Sequence, residues 1–135
     1  MTKISICSRN QVQMLLPSED SILISITDPE RVHPKISEGW RFLRLKFHDL
    51  DQARNEKDIL ISRKEATLIL EFIKMTKPKK IIINCEAGIS RSGGVAVALE
   101  EILNGDRKAF KKYPNHNRLV TTTILRVWQE RVEED

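Results

Sequence analysis

The stretch that decides the fold is Lys80-Ile81-Ile82-Ile83-Asn84, followed directly by Cys85-Glu86-Ala87-Gly88-Ile89-Ser90-Arg91-Ser92-Gly93-Gly94. Three adjacent isoleucines form a continuous β-branched run, which suits a strand covered on both faces. A cysteine ends the run, a glycine-containing turn follows, and a helix begins at the arginine. A turn that curls tightly into a helix points successive backbone N–H groups inward. Those donors and the positive end of the helix form a nest for a tetrahedral anion. Gly88 supplies either a backbone angle or a close approach that a side chain would forbid. Arg91 adds a planar fork able to grip two oxygens. The same positive field favours a thiolate at Cys85, and a thiolate at the base of such a cradle is a nucleophile aimed at phosphorus.

Working outward, Lys3–Ser8, with Ile4 and Ile6, reads as a short first strand, and Asn10–Leu16 as a brief helix stopped by Pro17. Ser21–Ile26 is apolar at most positions and reads as a strand buried on both faces, with a turn at Thr27-Asp28-Pro29. Arg41–Phe47 reads as a strand whose apolar faces come from Phe42 or Leu43, Leu45 and Phe47. Ser62 is an N-cap for a helix over about Arg63–Lys74, with Glu65 at the capping-box position and Leu68, Ile69, Phe72 and Ile73 at helical spacing. Val95–Leu103 reads as the body of the helix that Arg91 opens, closed by Asn104-Gly105. Asn117–Glu133 is a terminal helix whose Leu119, Ile124, Leu125, Val127, Trp128 and Val132 pack against the sheet. Glu130–Asp135 reads as a solvated acidic tail. This order predicts one α/β domain over residues 1–135, with a mainly parallel central sheet flanked by helices. Ligands of such sheets gather at the carboxyl ends of the strands.

A chain of 135 residues at 40% hydrophobic content is long enough to bury a core without a disulfide or metal staple. No apolar run approaches the ~20 residues a spanning helix needs. The opening MTKISICSRN places Arg9 and Asn10 where a signal peptide needs its apolar stretch. Two cysteines without such a signal point to a reducing cytoplasm. The net charge of +4 is mild, and no aromatic-studded basic stripe accompanies it, so nucleic acid is not an expected partner. The one basic cluster, Arg107, Lys108, Lys111 and Lys112 followed by Arg118, is most simply a solvated face. Its functional alternative is attraction of acidic groups beside a substrate. His33, His48 and His116 lack ligand-like spacing, so no metal and no cofactor are expected.

Cys-x5-Arg-Ser behind a buried strand resembles the signature of the cysteine-dependent protein tyrosine and dual-specificity phosphatases. The match runs from Cys85 to Ser92, with Gly88 in the family's glycine position. The resemblance covers most of the chain and points to the small dual-specificity type, or to the compact phosphatase-like proteins of bacteria and their viruses. It implies a two-step reaction. Cys85 attacks phosphorus and forms a phosphocysteine, while Arg91 and the backbone N–H groups of Glu86, Ala87, Gly88, Ile89, Ser90 and Arg91 hold the equatorial oxygens. Ser92 supports the thiolate as it leaves.

The resemblance also implies an aspartate that protonates the leaving oxygen and then takes a proton from water. The family places it some thirty-odd residues before the cysteine, where Asp49 and Asp51 stand 36 and 34 positions ahead of Cys85. Asp49 is preferred because it directly follows the Arg41–Phe47 strand and His48; either residue can instead cap a turn. Asn84 departs from the histidine that the family carries before its nucleophile, a change bearing on rate more than on function. No separate tyrosine-clamping loop is present, which implies a shallow pocket.

The implied partner is a phosphorylated protein or peptide, phosphotyrosine first, with no membrane. Two alternatives stay open: a phosphopeptide-binding protein without turnover, which only Asn84 favours, and an enzyme for a non-protein phosphoester such as a phosphoinositide or an RNA 5′-phosphate. Glu86 speaks against polyanionic headgroups, because it would repel a second phosphate if it faced the pocket. A sulfur-transfer protein of the rhodanese kind fits the Gly88-x-x-Arg91-Ser92 pattern poorly. Cys7 reads as core, with a redox partnership to Cys85 as its alternative. Trp40 reads as buried, with the substrate mouth as its alternative.

Overall fold

The computed structural model describes residues 1–134. Its elements are β1 (Lys3–Cys7), α1 (Arg9–Val12), β2 (Ser21–Thr27), β3 (Arg41–Lys46), α2 (Arg63–Thr76), β4 (Lys80–Asn84), α3 (Arg91–Asn104), a single 3-10 turn (Ala109–Lys111) and α4 (Arg118–Glu134). The four strands form one sheet in the order β1-β4-β2-β3, and every pairing is parallel. The two isoleucine-rich strands, β2 and β4, occupy the centre, as a strand buried on both faces must.

Side chains alternate across a strand, and here the two faces differ in chemistry. Ile4, Ile22, Ile24, Ile26, Ile81, Ile83 and Leu45 share the main core with α2, α3 and α4. Full burial of such a side chain is worth roughly 1.5–3 kcal/mol, so this face dominates the stability. The opposite face carries a smaller cluster, Val12, Leu23, Trp40 and Ile82, flanked by Cys7, Leu15 and Ile36.

Several boundaries and faces differ from the sequence expectation. Helix α1 begins at Arg9, behind a Ser8–Gln11 capping box, and stops at Val12 instead of Leu16, whose side chain is exposed. Helix α2 begins at the Ser62–Glu65 capping box as expected and runs two residues further, to Thr76. Its buried stripe is Ala66, Ile69, Leu70 and Ile73, and Leu68 faces solvent. On β3 it is Leu45 that is buried while Phe42 is exposed beneath the Arg44 guanidinium.

Helix α4 packs mainly on α3 and α2 rather than on the sheet, burying Val120, Thr121, Ile124 and Val127 and leaving Trp128 and Val132 exposed. Glu130, Glu133 and Glu134 are exposed at the helix end, as expected, with Glu130 paired with Arg63 at 2.5 Å; Asp135 lies outside the described residues. The basic cluster near residue 110 is exposed around the 3-10 turn, with Lys112 3.7 Å from Glu100 and Arg107 3.8 Å from Glu101. No helix among the described residues is long and apolar enough to cross a membrane.

Candidate active site

The loop from Cys85 to Ser90 leaves the carboxyl end of β4 and enters α3 at Arg91. Gly88 serves both purposes anticipated for it. Its φ of +74° lies in the left-handed region, and a Cβ there would sit 2.4 Å from the carbonyl carbon of Cys7 and 2.5 Å from the Ser8 nitrogen. The loop is thus pressed flat against the turn that joins β1 to α1.

Its polar groups then sort by direction. The Glu86 carbonyl accepts from the Arg9 N–H at 3.1 Å, and the Ser90 carbonyl accepts from Gly94 at 2.9 Å and Asn117 at 2.8 Å. By contrast, the amides of residues 86 to 91 donate to no protein acceptor among the described residues. Unspent donors converging at a helix start are what an anion cradle consists of. Cys85 is 2% exposed at the base, with Sγ 3.1 Å from the hydroxyl of the fully buried Ser92.

Arg91 is a buried cation at the positive end of a helix, which is unfavourable without a nearby anion. Asp28, just beyond β2, supplies one: its carboxylate accepts from Nη1 at 2.7 Å, and the Phe47 carbonyl at the end of β3 accepts from the same nitrogen at 2.7 Å. The other edge of the guanidinium is free of the protein. Nε is buried without a partner, and Nη2 forms no hydrogen bond among the described residues. Nε–H and Nη2–H point the same way, and together they have the geometry of a fork able to bind two oxygens of one tetrahedral anion.

Asp49 is exposed on the segment after β3. Its Oδ1 accepts from the Ser90 hydroxyl at 2.7 Å and from Asn117 Nδ2 at 3.0 Å. Asn117, 7% exposed, also donates to the Leu50 carbonyl at 3.2 Å, and its Oδ1 caps α4 by accepting from the Val120 N–H at 3.1 Å. One side chain therefore ties the Asp49 segment to the start of α4, while its backbone N–H holds the Cys85–Ser90 loop through Ser90. Asp51 is exposed and lines the same polar cavity of about 470 Å³, with Arg54, His116 and Arg118. The structure brings Asp49, not Asp51, into hydrogen bonding with the loop.

Asp28 and Asn117 belong to the site although the sequence marked them only as a turn and a helix start. Their positions at the carboxyl end of β2 and at an N-cap were the available signals. Glu86 requires a correction. Its carboxylate is held by Arg31 at 2.5 Å and Arg9 at 3.5 Å, so the repulsion expected from it is offset by two cations. Asn84 is 1% exposed between Cys7 and Ser25 on the neighbouring strands, and its Oδ1 has no partner.

Cys7 is a free, partly buried thiol; burial, and then the negative charge of Cys85, push it up to about 11. His48 makes no hydrogen bond to Asp49. Its Nδ1 accepts from the Ile59 N–H at 2.9 Å, which leaves Nε2–H to donate to Glu30, and that bond holds the Glu30 carboxyl below its usual range. Trp40 is buried, away from any mouth.

No family model matches the sequence, and no curated protein matches it. Solved structures do match. The human tyrosine phosphatase-like serine/threonine/tyrosine-interacting protein is 20% identical, over 84% of this chain and 80% of its own, with a TM-score of 0.57. Tk-PTP in its active form is 19% identical, over 96% of this chain and 91% of its own, also at 0.57. PTPMT1 is 16% identical, over 98% of this chain and 96% of its own, at 0.59, and a second structure of it holds PI(5)P. The parallel sheet, the loop after β4 and the helix behind it thus form the protein tyrosine phosphatase-like fold that the Cys-x5-Arg-Ser resemblance implied.

Proposed function

We propose that the protein hydrolyses phosphomonoesters through a phosphocysteine intermediate, with phosphotyrosine in a protein or peptide as its substrate. The observation that carries this reading is the open Nε–Nη2 edge of Arg91, its Nε buried and unpaired, beside amides that are equally unspent. A polar group left unpaired in a protein interior costs about 1–3 kcal/mol, and a dianionic phosphoryl group satisfies all of these donors together.

In the first step the Cys85 thiolate attacks phosphorus, the S–P bond forms, and the P–O bond to the leaving group breaks. Asp49, held beside the loop by Ser90 and Asn117, gives its proton to the departing oxygen. In the second step Asp49 takes a proton from water, the resulting hydroxide attacks phosphorus, and the thiolate departs with the Ser92 hydroxyl donating to it. Arg91 and the loop amides hold the three equatorial oxygens through both steps, so their contribution grows as charge redistributes.

Turnover of a small aryl phosphate in the presence of a chelator is the test. Cys85→Ser is expected to abolish it, Arg91→Ala to lower it by at least ~10²-fold, and Asp49→Ala to lower it by ~10²–10⁴-fold while Asp51→Ala has little effect. Retained turnover in Cys85→Ser overturns the mechanism, and phosphopeptide binding without phosphate release identifies a binding protein instead. One observation favours a second substrate class, phosphoinositides: Glu86 is neutralised by Arg9 and Arg31, and PTPMT1, of the same fold, has been seen with PI(5)P. A higher kcat/KM on a phosphoinositide than on a phosphotyrosyl peptide would assign that class.

A further inference from the structure

At the opposite end of the molecule, by the amino ends of the strands, a cleft of about 530 Å³ opens between α2, α3 and the last turns of α4. From its shape and charge we infer that it binds a free single-chain amphiphilic anion of the long-chain carboxylate kind. This inference stands apart from the proposed hydrolysis, since none of the loop residues takes part.

The cleft is built from core residues rather than surface ones. Leu70, Ile73 and Leu99 are buried members of the main core, and they line it together with Ile102, Leu103 and Trp128. Voids much larger than a water molecule are few in close-packed interiors, whereas ligand sites of about 300–1,000 Å³ with apolar walls are ordinary. Side chains of α2 and α3 form its walls, and Trp128 of α4, 38% exposed, stands at the opening.

The charge at the rim is of one sign. Lys74 and Lys77 end α2, Arg131 lies on α4, and no carboxylate is among the lining residues. Arg131 is paired with Glu71 at 2.5 Å, but Lys74 and Lys77 have no acidic partner among the described residues. An apolar trough with unpaired cations at its edge is complementary to a molecule with a long apolar body and one anionic end. Size selects further. One turn of a helix ~10 Å across and 5.4 Å in pitch fills roughly 420 Å³. The cleft therefore holds scarcely more than a single turn of a partner helix, while one alkyl chain fits.

The test is a titration of the whole chain with sodium dodecanoate below its micelle concentration, read by the emission of Trp128. The other tryptophan, Trp40, is buried on the far face of the sheet and stays silent. A saturable 1:1 blue shift is expected, tightening about fourfold per methylene from octanoate to dodecanoate. Dodecanol and the Lys74→Glu/Lys77→Glu variant are expected to bind several-fold more weakly, and Leu103→Trp, which fills the cleft and adds a third emitter and is therefore read by titration calorimetry, not at all. The two lysines are exposed, so the charge variant remains informative even if Leu103→Trp fails to fold. Absence of a saturable shift, equal binding of dodecanol, or unchanged binding in the double lysine variant overturns the assignment. Ligand-free dimerisation that Leu103→Trp abolishes would overturn it too, giving the cleft to a second copy of the chain.

Discussion

Replacing Asp28 by alanine is expected to slow the reaction while barely affecting substrate capture. Asp28 and the Phe47 carbonyl are the two acceptors of Arg91 Nη1, each at 2.7 Å. Removing one leaves a guanidinium that is 4% exposed with half of its anchorage. A hydrogen bond to a charged group is worth about 1.5–3 kcal/mol. The Asp28 side chain is 34% exposed, which places this bond near the lower end, about 1.5–2 kcal/mol. At ~1.36 kcal/mol per decade, kcat/KM falls by roughly 10–30-fold.

Removing Asp28 also takes a carboxylate away from the neighbourhood of an anionic substrate, which favours ground-state binding. The loss therefore falls on kcat, with KM level or lower. The same 1.5–2 kcal/mol should appear in stability. With an unfolding entropy of about 2.1 cal/mol/K per residue, a chain of this length melts ~5–7 °C lower. Asp28→Asn keeps an acceptor without the charge and should fall between. Steady-state kinetics on an aryl phosphate and a calorimetric melt measure both quantities. Wild-type kcat together with a wild-type Tm in Asp28→Ala would refute the role given to this residue.

Asn117→Ser keeps a helix cap but is too short to reach Asp49, so turnover should drop roughly three- to tenfold; Asn117→Ala, which loses the cap as well, should melt ~4 °C lower than Asn117→Ser, and equal melting points would deny the capping role. The Cys7 thiol rises from 9.0 to about 11 on folding, so the folded state keeps a proton that the unfolded chain releases. Its contribution is full below pH 9 and lost as pH passes through 11. Urea midpoints taken at pH 8 and pH 10.5 should therefore fall further for wild type than for Cys7→Ala, and parallel falls would contradict the burial of that thiol. Ser25→Ala deletes a buried hydroxyl that has no partner and should raise Tm by about 4 °C, for roughly 1 kcal/mol gained; a lower Tm would show that the hydroxyl is bonded.

The elements that the sequence specified well are those whose cause is local. Lys80–Asn84 is a strand by composition alone, and Ser62 with Glu65 carries its own capping geometry. Cys85, Gly88, Arg91 and Ser92 lie within one turn of chain, so their convergence could be read from spacing. Asp28 and Asn117 could not be read so. They reach Arg91 and Asp49 from 63 and 68 residues away, and nothing near either residue encodes that meeting. Glu86 was misjudged for the same reason, since the cations that offset its charge come from α1 and from the segment after β2. Periodicity gave α4 an apolar stripe but not the surface it would cover, and that surface is α2 and α3.

The polar groups without partners are not spread evenly through the fold. Cys7, Asn84, Ser25 and Arg44 stand side by side in register across all four strands, near their carboxyl ends. Three of the four carry a buried polar atom with no partner: Asn84 Oδ1, Ser25 Oγ and Arg44 Nε; Arg91 Nε, at the head of α3, adds a fourth. Of the described residues, Trp40 alone places such an atom away from this end. The aliphatic face of the same strands has no such defects, so the sheet could have been closed with Val or Ile throughout. Unpaired donors and acceptors are destabilising wherever they sit, and natural chains retain them where a ligand or a reacting group will use them. In the proposed mechanism Arg91 Nε and the loop amides have such a use in a phosphoryl group. The row beneath them does not touch that position, but its first member supports the loop: the backbone of Cys7 and Ser8 lies where a Cβ on Gly88 would fall. A side chain at position 88 would push the loop off that backbone, so the close approach of Gly88 to the β1–α1 turn is what sets the height of the loop that begins at Cys85.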